Sequence, residues 1–589
     1  MDALHACEVL VSSPHYVEAS RRVMRQLLEA LVFEQQLPVT WPGPGRLQIE
    51  VPGGKTLYTC AATREVAFDR VRVLGPIERN CAGKQDEALD PALFLAEVAP
   101  LMDVDAAAVQ CFAAELLATQ LKHAQTLQAR GGEVLRHADY DTVEARLSHG
   151  HPYHPGFKSR MGFDLADNAQ FSPELARPFS PWLLAARRDR CVWSASATLD
   201  PKDLWRQLLG PEDAAQYQAV LEQRGLATDD YLPLPVHPWQ WREVIALHFH
   251  PALARAELVP IGRMAARYRP QQSIRTLANL DNPLGWTLKL SMSLVNTSTA
   301  RVLAPHTVAN AAPISDWLER RVADTDWPAP LAAPTLLHER AGVSYQSEHP
   351  GTAPYGALAC LWRESVPRRR PGARRALPMS ALCHIDGDGR PLIAPWLQQY
   401  GAEAWLRQLL DRAFLPVLHL LWSQGIALES HAQNMVLLHA RGWPTGVMLK
   451  DFHDGVRFSR RWLTAPPPPL QPPPPEHARI NPNSSLECDV ADELRDFTLD
   501  ALCFVNLAEL AWCWTRDHGL DPQRFWQIAR SAVTEHQLRH RALAPAFARF
   551  DVGAPTLAIE PLAARRLHPH GNLPYRRSPN PLAAGAACD

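Results

Sequence analysis

What this chain of 589 residues lacks narrows its chemistry before any motif is considered. Its eleven cysteines are scattered, odd in number and without a CxxC pair, so a secreted disulfide framework is not expected and reduced thiols in a cytosol fit better. It has no excess of either charge: Lys+Arg 60 against Asp+Glu 62 leave a net charge of -2, with no general pull toward nucleic acid or anionic membrane. Long apolar runs are missing too; the stretch 413–422 is broken by His and Pro and is too short to span a bilayer. The N-terminus passes through Leu4, Ala6 and Cys7 without the basic and apolar regions of a leader, so a soluble, cytoplasmic protein is expected. No complete Walker A loop exists, because Gly53-Gly54-Lys55-Thr56 has Ile49 where the first glycine is needed. GxSxG elbows, HExxH helices and fixed-period repeats are likewise absent.

What is present reads as a mixed α/β chain of several lobes. Val23, Leu27, Leu28 and Leu31 predict an amphipathic helix over 17–35, and a second helical stretch is expected over 91–128. Between them, 46–75 alternates as strands do. The region 146–367 is rich in Pro, His and Trp and ends at an arginine run, 368–375, which reads as a solvated linker and a domain boundary. A long helix near 402–424, capped by Gly425, opens the last part. Pro466–Pro469 and Pro472–Pro475 predict a stiff surface excursion.

Three segments carry chemistry. Prolines hold 148–160 out of helix, so His151, His154, Lys158 and Arg160 form a rigid loop of donors suited to an anion. The second segment begins with the donor cluster Ser273-Ile274-Arg275-Thr276. It continues as a strand from Thr287 to Leu294, with Lys289 on the polar side. Asn296-Thr297-Ser298 then reads as a helix start, placing Thr297 and Arg301 on one face as a seat for a carboxylate or phosphate. In the third segment, a hairpin closed between Gly442 and Trp443 without a bulge sets Asn434 opposite Asp451. Those two oxygens, with Glu429 as a third, predict a Mg²⁺–nucleotide site.

Taken in order, the His151-Pro152-Tyr153-His154-Pro155 loop, the Ser273–Thr276 box, the Lys289 strand with Thr297 and Arg301, the Glu429–Asn434 stretch and Lys450-Asp451-Phe452 resemble the IucA/IucC-type, NRPS-independent siderophore synthetases. The Lys450–Gly455 form looks most like synthetases of the staphyloferrin B and achromobactin pathways. The resemblance implies a cupped hand with a thumb (1–145), fingers (146–367) and a palm (368–589) that resembles ferric-reductase proteins. It implies a ligase that uses ATP and Mg²⁺ to adenylate a citrate-like or α-ketoglutarate-type carboxylate and join it to an amine or alcohol, usually as a homodimer. By position, His151, His154, Lys158, Ser273, Arg275, Thr276, Lys289, Gln433 and Asn434 would hold the nucleotide. Glu429, Asn434 and Asp451 would hold the metal, and Thr297, Arg301 and His431 the carboxylate, with Arg301, His431 and Lys289 catalytic. Two positions depart from the family pattern: Lys450 stands where many members have Arg, and Glu560 where many have Lys.

Two rival readings stay open at this level. His431–Asn434 followed by Asp451-Phe452 mimics the catalytic loop and metal-binding Asp of a kinase-like small-molecule phosphotransferase, although no Gly-rich loop precedes it. A non-enzymatic or redox iron protein would need clustered Cys ligands, and Cys503, Cys513 and Cys588 are dispersed.

Overall fold

Pro14–Phe33 forms the expected first helix, with proline in its first turn and Val23, Leu27, Leu28 and Leu31 on its buried face. The computed structural model describes residues 3–583, apart from 131, 176, 298, 349, 350, 352, 476, 478–480, 482, 483 and 570–572. Ser298 and Cys588 therefore lie outside the described residues. The second helical stretch divides into Pro91–Val98, capped by the Asp90 carboxylate, and Ala106–Arg130. The strands expected in 46–75 are Arg46–Glu50, Thr56–Arg64 and Val71–Val73, part of a six-stranded antiparallel sheet.

A second six-stranded antiparallel sheet positions the site. Its order is Tyr268–Pro270, Thr276–Asn279, Thr287–Leu290, Ala359–Arg363, Glu339–Tyr345 and Cys191–Ala195. The helix Pro305–Ala323 packs on this sheet so closely that a Cβ at Gly342 would fall 2.8 Å from Val308 and 2.6 Å from Leu361. Glycine is what permits that contact. The Lys289 strand is shorter than the alternation predicted, ending at Leu290 and buried on both faces. The helix expected at Thr297 is instead a small hairpin, in which Val295 pairs with Ala300 and Asn296 with Thr299. Thr297 has a left-handed backbone (φ 59°), which a helix start does not accept.

In the last third, 402–424 is helical throughout, with a π-turn at Leu410–Phe414 and Gly425 in the left-handed cap (φ 72°). It packs on the hairpin Met435–Ala440 and Trp443–Leu449. A bulge lies in that hairpin. Leu438 pairs with Gly446 but His439 pairs with Pro444, leaving Thr445 as the extra residue. The turn falls at Arg441–Gly442, one residue earlier than expected, and the bulge offsets this only in part: Asn434 faces Lys450, whose amide donates to its carbonyl at 3.1 Å, and Asp451 lies one residue beyond. The arginine run is no free linker either. Arg368 stacks on Trp286, Arg369 pairs with Glu364 at 3.3 Å, and Arg375 joins a strand beside His439.

Two large apolar cores result. One lies within 163–362; the other joins Val23, Leu27 and Phe33 near the start to Leu557, Leu567 and Leu582 near the end. The run Ala491–His518 is long and apolar enough to cross a membrane by length and composition, but 72% of its apolar window is buried inside the protein.

Buried histidines set the acid response of the fold. Burial pulls His237 and His536 down to about 3 and His439 to about 4. Unfolded histidine titrates near 6.5, so below that value the unfolded chain binds more protons than the folded one. The stability these groups contribute is present above about 6.5 and is lost as pH falls toward their folded values. Glu34 and Asp141, raised by burial to about 7 and about 6, act in the opposite sense, but His151 at about 3 and His306 at about 4 add to the histidine side. The melting midpoint is expected to fall by several degrees between about pH 7.5 and about pH 5.5. A midpoint that holds or rises in a calorimetric series would contradict this reading.

Candidate active site

The histidine loop is built by its own side chains. His151 Nδ1 accepts the amides of Tyr153 (3.1 Å) and His154 (2.9 Å), and His154 Nδ1 accepts the amide of Gly156 (2.9 Å). An Nδ1 acceptor places the proton on Nε2, so both rings turn an N–H donor away from the loop. Burial lowers His151 to about 3 and His154 well below its usual value, so both are neutral donors at physiological pH. His154 Nε2 is buried with no protein partner.

The Ser273–Thr276 turn closes on itself: Ser273 Oγ donates to Thr276 Oγ1 at 2.6 Å, and Ile274 sits at φ 62°. Thr276 pairs in register with Lys289 on the next strand. Lys289 Nζ lies 3.1 Å from Asp451 Oδ1 and 3.3 Å from His453 Nε2. Arg363 donates to the same Asp451 oxygen at 2.7 Å. Burial alone would raise the Asp451 pKa, but Lys289 and Arg363 outweigh it and hold the carboxyl well below the usual range. Both cations use Oδ1, which leaves Oδ2 for another ligand. His453 is oriented by Glu339, whose carboxylate takes its Nδ1 at 2.6 Å and its amide at 3.1 Å.

Arg301 approaches from the Thr297 hairpin. Its Nη2 donates to the Asn296 carbonyl and to Thr297 Oγ1, both at 2.7 Å, while its Nε is buried without a partner. Thr297 and Arg301 thus touch as expected, although a hairpin rather than a helix joins them. Burial brings Arg301 down to about 10, with Arg275 adding to that and Glu429 and Asp451 opposing it; it stays cationic at neutral pH. His151 in turn feels His431 and Arg301. The finger donors and the palm acids therefore share one electrostatic neighbourhood.

On the palm side, Glu429, His431 and Gln433 are half-buried around a turn in which the Asn434 amide donates to the His431 carbonyl at 2.9 Å. Burial lowers His431, against the pull of Glu429 and Asp451. A magnesium ion fits part of the expected set. A Cβ at Gly455 would lie 2.5 Å from the Asp451 backbone carbonyl oxygen and 3.6 Å from Glu429 Oε2, so only glycine lets the turn after Asp451 pass this close to both residues. Glu429 and Asp451, which both act on Arg301 and His431, supply the hard carboxylate oxygens that suit Mg²⁺. Asn434 commits its Nδ2 to the Glu429 carbonyl at 3.0 Å, leaving its amide oxygen as the remaining donor, but it does not face Asp451.

Lys158 is not brought to this cleft. Its Nζ is fully buried, 2.9 Å from Glu174, and Arg160 grips the same carboxylate at 2.8 Å. Burial would raise Glu174, but Arg160 and Lys158 hold it at about 2. One carboxylate thus holds both groups behind the histidine loop, where burial lowers Lys158 to about 7. Lys450 is likewise spent, on Tyr140 and Glu144. Conversely, Glu339, Arg363 and His453 were given no role from sequence. Glu339 and Arg363 terminate fully buried strands, and a charge at the end of an apolar strand was the one signal available.

Comparison with known proteins shows which chains this one resembles. Residues 139–384 match the IucA / IucC family, and residues 403–574 match the description "Ferric iron reductase FhuF-like transporter". The 2-[(L-alanin-3-ylcarbamoyl)methyl]-3-(2-aminoethylcarbamoyl)-2-hydroxypropanoate synthase of Staphylococcus aureus is 36% identical, over 96% of this chain and 93% of its own. The citryl-spermidine/3,4-dihydroxybenzoyl-citryl-spermidine:spermidine ligase of Bacillus anthracis is 32% identical, over 97% and 94%. The crystal structure of the petrobactin biosynthesis protein AsbB from Bacillus anthracis str. Sterne superposes with a TM-score of 0.89 at 31% identity, covering 99% of this chain and 98% of that one.

The Glu174 cluster gives a test of the structural role assigned to Lys158. Glu174→Ala leaves two buried cations uncompensated and is expected to cost about 3–5 kcal/mol of stability. A denaturant midpoint equal to that of the parent would return Lys158 to the list of ligand-binding candidates.

Proposed function

The chain belongs to the IucA/IucC family, and from that premise we propose that it is an ATP-dependent ligase. It adenylates a carboxyl group of a citrate-type acid and passes the acyl group to an amine, with AMP and pyrophosphate released. Among its relatives are a citryl-spermidine/3,4-dihydroxybenzoyl-citryl-spermidine:spermidine ligase and a petrobactin biosynthesis protein, names that point to a citryl acid joined to an amine. The observation that carries the mechanism is the pair of buried orphan donors His154 Nε2 and Arg301 Nε, with Arg301 acting electrostatically on His154 and itself drawn by Asp451 of the Lys289–Asp451–Arg363 cluster. Buried donors without partners are rare unless a ligand completes them.

A carboxylate must approach an α-phosphate, and both are anions. Arg301, with Thr297 fixing its plane, offers the forked geometry a carboxylate takes, and Lys289 offers a point charge for phosphate. The neutral Nε2–H groups of His151 and His154 add donors without adding charge, and the Ser273–Thr276 turn, whose Thr276 pairs with Lys289, adds hydroxyls. Glu429 and Asp451 Oδ2 would hold Mg²⁺, which neutralises triphosphate charge when bound. His431, lowered by burial, is neutral at physiological pH and suited to take the proton of the attacking amine. The cytosol, where ATP is abundant, is the setting this chemistry requires.

The test is nucleotide analysis with citrate, α-ketoglutarate and citryl-amides against a panel of diamines. AMP and pyrophosphate support the ligase, whereas ADP would support a phosphotransferase. Arg301→Ala is expected to lower hydroxamate trapping of the activated acyl group by about a hundredfold or more, with the fold intact by circular dichroism. Normal trapping by that folded variant removes Arg301 from the site. Asp451→Asn is expected to raise the Mg²⁺ concentration needed for half-maximal turnover by about tenfold, and an unchanged requirement contradicts the assignment.

A further inference from the structure

The proline-rich segment has no part in this mechanism, yet it is fastened to the fingers. Asn310, buried in the helix Pro305–Ala323, donates Nδ2 to the Gln471 carbonyl at 2.8 Å and accepts the Gln471 amide on Oδ1 at 2.8 Å. Prolines on both sides of Gln471 stiffen the chain that this clasp holds.

His477 is 5% exposed and its ring lies 4.5 Å from that of His306, which is 7% exposed. Neither nitrogen of His477, nor Nδ1 of His306, has a protein partner, although all three are buried. Such groups are costly unless something completes them. His306 also stands at the start of its helix, which has no side-chain cap and carries proline in its first turn. The helix's first internal bond runs from the Val308 amide to the Ala304 carbonyl at 3.0 Å, so the amides of His306 and Thr307 precede the ladder. An open helix start with two unsatisfied imidazoles beside it suits a phosphate.

The place is the edge of the cleft. Arg275 Nη1 donates to the Val302 carbonyl at 2.5 Å, three residues before the helix. Asp454 acts electrostatically on Arg275, His306 and His477 together. A bare anion would be repelled by Asp454, whereas a phosphate that brings its own magnesium would not. Among the described residues no three His, Cys, Asp or Glu side chains converge on a metal position, which argues against a metal held by the protein alone here.

Resting on the ligase reading, we propose that His306, His477 and the open helix start form the seat of the nucleotide's terminal phosphates, the part that leaves as pyrophosphate. Asn310 is then a positioning residue that acts through the strap. Neutral imidazoles suit the task, because they hold the pyrophosphate by hydrogen bonds without a fixed charge that would slow its departure.

The experiment is calorimetric titration of the full chain with Mg·ATP, AMP and inorganic pyrophosphate in the absence of acid and amine. His477→Ala is expected to weaken Mg·ATP and pyrophosphate about tenfold while AMP stays within about twofold, and Asn310→Ala should shift affinities in the same pattern. His477→Gln, which keeps a donor, should recover part of the loss. Equal losses for ATP and AMP, or no loss in His477→Ala, would overturn the seat. The two readings fail separately. A wild type that shows this discrimination but never forms AMP overturns the ligase and leaves the seat, whereas a wild type that forms AMP beside a His477→Ala variant of unaltered affinity does the reverse.

Discussion

The grip of Lys289 and Arg363 on one oxygen of Asp451 is the contact on which the rest depends. It ties the central sheet of the fingers to the residue just past the palm hairpin, at 3.1 and 2.7 Å. Without those cations Asp451 would be a buried carboxylate with no partner, and it would neutralise itself by taking a proton. With them it stays ionised, keeps Oδ2 free and brings the palm acids to the finger donors. The same contact explains why the backbone accepts φ 66° at Asp451. The ion pairs on its side chain and the Gly455 turn after it hold a conformation that isolated non-glycine residues avoid.

Strain recurs around this centre. Ile274 and Thr297, both β-branched, also have left-handed backbones. Such conformations persist only where the surroundings over-determine them. The turn that holds Ile274 is closed by the Ser273–Thr276 hydroxyl bond, and the one that holds Thr297 by Arg301. The histidine loop follows the same logic by other means, spending each Nδ1 on local amides so that each Nε2–H is committed before a ligand arrives. Preorganised neutral donors and fixed cations let the site accept anions without rearrangement.

Much of the fold was legible in the sequence, because period and caps are local signals. The Pro14–Phe33 helix, the early strands and the Gly425 cap needed nothing beyond them. The site was legible as a set of motifs in series, and the family follows from that series. What failed were inferences that depended on one unseen geometric step. The hairpin turns one residue earlier than expected, at Arg441–Gly442, and the Thr445 bulge makes up only part of the offset, so Asn434 faced Lys450. Thr297 opened a hairpin where its neighbours resembled a helix cap. Lys158 and Arg160 looked like ligand donors because Glu174, fourteen residues beyond Arg160, gave no sign of returning to them. Glu339 and Arg363 were invisible for a related reason: their strands read as core, and only the sheet order aims their charges at Asp451 and His453.

The central claim is that a carboxyl oxygen attacks the α-phosphate of ATP in the cleft gathered by Asp451. Turnover with ¹⁸O-labelled citrate and an amine acceptor tests it most directly, by following the label into the nucleotide by mass spectrometry. The account predicts one ¹⁸O in each AMP released. Label found in inorganic phosphate beside ADP, or AMP formed without label, would contradict it.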